Sequence, residues 1–163
     1  MTKISKYDVL VLFEFLKEAN APILNKHYIN FIIRNRELLK IEDEIIRKTL
    51  SSFAPTDAET KFSEDEYKIL LEYAATKDNS KELVKPLQIA PGNESTLKAK
   101  LEELQAKDGN AEIIKSIQTK NEEITKIYAE EVELELLSID FDNLPETINT
   151  NIYELLLENK LIN

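Results

Sequence analysis

The chain has no cysteine, two glycines, one histidine and no long apolar run in 163 residues. Without cysteine there are no disulfides, thiolate metal sites or cysteine nucleophiles. With only Gly92 and Gly109, neither a P-loop nor a dinucleotide-binding glycine pattern can be written. Strand-rich folds with many tight turns use more glycine, so the composition favours helices. The longest apolar run is Val9 to Phe13, far short of a membrane span, and no charged-then-apolar leader is visible. The expectation is a soluble intracellular protein, without a membrane partner.

Basic residues are scarce in one place only. From Asn121 to Asn163 there are 11 acids against Lys126 and Lys160, a balance of −9, whereas residues 1–120 carry 20 acids and 19 bases. Like charges repel one another unless water, salt or a partner offsets them. The asymmetry points to binding and disfavours non-specific contact with nucleic acid, which needs cations to displace counterions. The hydrophobic share of 42% supports a folded chain. One domain is the default at this length, with lobes 1–78 and 93–163 joined by an irregular segment 79–92 as the alternative.

Ser5 and Asp8 resemble a capping box ahead of Val9, Leu12, Phe13 and Leu16, which predicts a helix over 5–19. Val11 and Phe15 lie off its main stripe, so this helix is either central in the core or covered by a partner. Residues 26–53 contain no Gly or Pro. Ile32, Leu39, Ile46 and Phe53 recur every seven residues beside Phe31, Leu38 and Ile45, a two-column stripe on a helix roughly 42 Å long. Ser63 and Glu66 match a capping box for a helix to about Thr76, with Tyr67, Leu70, Leu71 and Ala74 inward. Pro86 and Pro91-Gly92 break the next stretch, where Leu87 to Ala90 suit a short strand.

Helices over 95–107 and 111–130 follow, with Gly109 as C′ of the first and Asn110 as cap of the second. They make an antiparallel α-hairpin, the second burying Ile113, Ile114, Ile117, Ile124, Ile127 and Tyr128. The period then drops to two. Glu131, Glu133 and Glu135 alternate with Val132, Leu134 and Leu136, and Ile139 and Phe141 resume the pattern. That is a strand with one wet acidic face, helix being the competing reading. A last helix is expected over 150–158. The fold class is therefore mainly α: a helical bundle with one long helix, an α-hairpin and a short β-ribbon near the C-terminus.

No residues converge on a recognisable chemistry. His27 has Ser5 and Asp8 as imaginable partners, but no nucleophile motif is present. Asp140 and Asp142 could offer oxygens to a hard cation. As a calcium loop, residues 140–151 fail, with Pro145 at the sixth position and Asn151 at the twelfth. The runs Glu42 to Glu44 and Glu64 to Glu66 read as solvated helix charges. Asn93 to Ser95 matches a glycosylation acceptor, a motif common by chance. Arg34, Arg36 and Arg47, with Lys26, Lys40 and Lys48, make the long helix the most basic element. Their expected use is solvation or docking against the acidic C-terminal segment.

The stretch Phe31 to Lys40 within a long helix, and Val132 to Leu136 followed by Leu144 and Pro145, resemble a small phage-encoded helical family of unknown function. The resemblance implies a phage or prophage origin and carries over no catalytic residues. The expected function is a non-enzymatic protein-interaction module, serving as a virion or assembly component, that binds a protein partner or a second copy. No cofactor or metal is expected. The expected interaction residues are Glu131, Val132, Glu133, Leu134, Glu135 and Leu136, with Val11 and Phe15. The alternatives are an acidic inhibitor of a nucleic-acid-binding host or defence protein and, less favoured, a metal-dependent enzyme using Asp140 and Asp142.

Overall fold

A computed structural model describes residues 1–19, 25–76, 86–146 and 148–163. The element order is β1 (Thr2–Ser5), α1 (Lys6–Glu18), α2 (Lys26–Ser51), α3 (Asp57–Glu72), α4 (Glu94–Gln105), α5 (Asn110–Ala129), β2 (Glu131–Leu134), a 3₁₀ turn (Phe141–Asn143) and α6 (Thr150–Glu158). The mainly α architecture is as expected. The chain forms two compact units, Met1–Phe53 with Glu123–Asn163, and Ala54–Glu122. This division differs from the expected lobes. It falls at 53/54 and inside α5, whereas the first half of the segment 79–92, residues 79–85, lies outside the described residues.

In the first unit α1 is the central element, packed on α2, α6 and β1. Ser5 Oγ accepts from the Asp8 backbone N–H at 3.1 Å, so the helix starts where the cap predicts. Val9, Leu12 and Leu16 are fully buried with Ile4, Phe31, Ile32, Leu39, Ile46, Leu156 and Leu161. Val11 and Phe15 are half-buried against that core. A central position accounts for the broad apolar surface of α1. α2 is capped by Asn25, whose Oδ1 accepts from the backbone of His27 and Tyr28. The same side chain donates to the Asn143 carbonyl at 3.1 Å.

Two polar devices fix the chain on α2. Asn35 is fully buried; its Nδ2 donates to the Leu137 carbonyl (3.0 Å) and its Oδ1 accepts from the Leu137 N–H (2.7 Å). The amide thus pairs with the extended chain as a neighbouring strand would. Arg47 Nε donates to both oxygens of buried Asp43 at 2.8 Å, and its Nη2 donates to Glu14 at 2.6 Å, tying α2 to α1. α6 ends in a Schellman motif with Lys160 at φ 56°. Leu161 N–H donates to the Leu156 carbonyl and Lys160 N–H to Leu157, while both Leu156 and Leu161 are buried. The returning chain then bridges Ile162 to Ile139 in parallel.

In the second unit α3 begins earlier than expected. The capping box is Thr56 with Glu59, not Ser63 with Glu66, and Ser63 lies exposed within the helix. Both tetrads fit the pattern. The upstream one wins because Glu59 gains partners beyond its own helix: Ser116 Oγ at 2.7 Å and Lys120 Nζ at 2.6 Å. With that start, Phe62 turns inward and Tyr67 is exposed, a second correction. Gln88 and Ala90 hydrogen-bond to Ala75 and Tyr73, so the expected strand at 87–90 reduces to a bridge between Ala74 and Ile89. α4 lies closest to α3. Its join to α5 is held at the turn, where Gly109 takes φ +81° and Asn110 donates to the Leu104 carbonyl at 2.7 Å. Ala106 is the C-cap of α4, which moves Gly109 out of the expected C′ place. Asn110 therefore serves the end of α4 rather than the start of α5. None of the α5 apolar side chains is fully buried.

Candidate interaction surface

The acidic alternating segment is a strand at Glu131–Leu134, paired antiparallel with β1 so that Thr2 faces Leu134, Lys3 faces Glu133 and Ile4 faces Val132. Alternation sets the two faces. Val132, Leu134 and Leu136 are half-buried against the core, while Glu131, Glu133 and Glu135 are exposed. With two strands in the sheet, each keeps one edge without a strand partner among the described residues.

The wet face is partly neutralised from β1 and α1. Lys3 lies 3.6 Å from Glu133 and Lys6 donates to Glu130 at 2.5 Å. The basic side chains of α2 were expected to be solvated or to dock on this acidic segment. Instead Arg47 serves Asp43 and Glu14, and Lys40 pairs with Glu44. Among the described residues no ion pair joins α2 to residues 121–163. Glu131 and Glu135 have no side-chain partner there either.

The second surface lies on α2. Ile32, Leu39 and Ile46 are buried as their seven-residue spacing requires. The neighbouring column divides: Phe31 is buried, but Leu38 is 36% and Ile45 50% exposed. Ile41, 63% exposed, stands between them. Leu38, Ile41 and Ile45 fall at i, i+3 and i+7, so they form one aliphatic stripe facing solvent. The spacing was readable in advance. Its outward direction was not, because the same residues also continue the core-facing column of Phe31.

The chemical candidates separate. Ser5 is used as the cap of α1, not as a partner of His27. His27 is exposed and lines a polar cleft of 140 Å³ with Asn30, Ser138, Asp140, Asn143 and Asn163. Within it Asn163 Nδ2 donates to Ser138 Oγ at 3.0 Å and reaches Asp140 Oδ1 at 3.5 Å. Asp142 points elsewhere than this cleft and lies in the 3₁₀ turn. Among the described residues no three His, Asp or Glu side chains are grouped to hold a metal ion, and no helix is long and apolar enough to cross a membrane.

The most perturbed group is a clasp of the second unit. Glu59 is held down to about 2, from an ordinary 4.5, first by the Lys120 ammonium and then by the Thr56 N–H and the Ser116 hydroxyl. Every bond it makes is internal, which marks a structural carboxylate. Compared with protein-family models, curated proteins and solved structures, the chain matches none.

Proposed function

We propose that the protein is a non-enzymatic interaction module that binds a second copy or another protein through the outer face of α2. One observation carries the reading: Leu38, Ile41 and Ile45 form a continuous aliphatic stripe in water on a helix whose opposite face already fills a core. Scattered exposed aliphatics need no explanation, but a contiguous row is the usual anchor set of helix-mediated recognition. The resemblance of Phe31 to Lys40 and Val132 to Leu136 implies a phage or prophage origin, and a virion or assembly component is the setting we propose for such a module. The test compares wild-type protein with Ile41→Glu by light scattering over a concentration series and by affinity capture. Self-association or a specific capture should be lost in the variant while the melting temperature holds. Identical mass and an identical captured set would contradict the proposal.

The ribbon supports a second reading, an acidic inhibitor of a nucleic-acid-binding protein. Its motivation is that Glu131 and Glu135 have no cation partner among the described residues, and spaced carboxylates satisfy Lys and Arg as phosphates do. Salt-sensitive binding to a basic protein, weakened by Glu131→Gln with Glu135→Gln, is the expected behaviour. Binding indifferent to both salt and these changes removes it.

A further inference from the structure

Near the C-terminus of the first unit, three apolar side chains stay in water beside buried neighbours. Leu155 and Leu156 of α6 are buried, whereas Leu157 is 45% exposed. Tyr153, one turn earlier on the same side of the helix, is half-buried. Phe141, 58% exposed, meets the Tyr153 ring edge-to-face at 6.0 Å and 78°. Each of the three is followed directly in the chain by a carboxylate: Asp142, Glu154 and Glu158. All three acids are exposed, and none has an ion pair or side-chain hydrogen bond among the described residues.

Local energetics do not explain Glu154 and Glu158. Glu154 and Glu158 are four residues apart on one helix, a spacing at which like charges repel. Glu158 also ends α6, where the helix dipole favours a cation, and the last turn has no basic residue. Glu158 opposes both rules and Glu154 the first; unpaired charge of this kind on the helix that carries Tyr153 and Leu157 has the anatomy of a binding patch awaiting positive charge.

We propose that Phe141, Tyr153 and Leu157 form a docking surface for a basic segment of another protein, with an arginine as its central group. A guanidinium is flat and weakly hydrated. It stacks on an aromatic face while its N–H fork engages carboxylates, which suits rings whose next residues in the chain, Asp142 and Glu154, are exposed carboxylates, with Glu158 one turn on from Glu154. A second copy of this chain would bring the same carboxylates and be repelled, and nucleic acid would be repelled likewise. This surface rests on the reading of the protein as a binding module, but not on the α2 stripe.

The test uses the full ¹⁵N-labelled chain and the blocked peptide acetyl-Leu-Arg-Leu-Arg-Leu-amide, with a citrulline-for-arginine peptide as the uncharged match. Shift changes should concentrate at 140–143 and 152–159. Affinity should fall roughly tenfold for the citrulline peptide and for Glu154→Gln combined with Glu158→Gln. Phe141→Ala should weaken binding while the Leu155 and Leu156 signals keep their positions. Ile41→Glu should leave the peptide affinity unchanged, which separates this surface from the α2 stripe. Equal affinity for both peptides, or shifts centred elsewhere, would overturn the proposal. So would Mg²⁺ alone reproducing the pattern and displacing the peptide, the mark of a simple cation cluster.

Discussion

Glu59 and Asn35 are the two residues whose side chains do most to position chain segments, and each makes a prediction of its own. The folded-state pKa of Glu59 lies below its ordinary value, so the ionised form favours folding of the second unit. That contribution is complete above about 4.5 and is lost as pH falls toward about 2. Glu59→Gln should therefore lower the melting temperature at neutral pH, and the gap to wild type should close across that acid window. A gap independent of pH would mean the carboxylate charge is irrelevant. Asn35 offers a different test because its role is geometric. Asn35→Leu keeps the branched shape but leaves the Leu137 N–H and carbonyl without their partner, at a cost of about 2 kcal/mol in urea unfolding. No loss would show that water replaces the amide freely.

At the scale of elements, the choice between two capping boxes separates local from tertiary information. Thr56→Ala should cost about 1 kcal/mol, whereas Ser63→Ala should change stability by less than about 0.5 kcal/mol. Thermal unfolding of the two variants measures the difference, and the reverse order would mean α3 starts where the local pattern alone places it. Sequence reading located α1, α2 and α6 closely because Ser5, the unbroken stretch after Asn25, and Asn149 supply local start signals. It also found β2, since alternation is visible within four residues. It missed β1, because a four-residue strand has no period of its own. The strands meet from opposite ends of the chain, with Lys6 and Glu130 124 positions apart. The Asn35 clamp was equally silent, as a lone polar residue inside an apolar stripe does not announce its partner.

Across the whole molecule, what remained illegible is which apolar surface receives a neighbour. The columns of Ile32 and Phe31 are adjacent on α2, and only tertiary packing decides that Leu38 and Ile45 leave the core while Leu39 and Ile46 stay in it. The same holds for charge. The excess of acids after Asn121 was visible at once, but not that Lys3 and Lys6 would neutralise Glu133 and Glu130 while Asp142, Glu154 and Glu158 have no ion pair among the described residues. Val11 and Phe15 are half-buried beside the core, while apolar side chains on α2 and beside α6 are more exposed. If α2 is the element that meets other molecules, its outer stripe must lose contact with water when the protein is bound. Hydroxyl-radical footprinting of the protein alone and in its captured or self-associated form reads this directly. Leu38, Ile41 and Ile45 are predicted to lose most of their reactivity on association, while exposed Leu87 keeps its own; full reactivity of all three in the bound form would contradict the account.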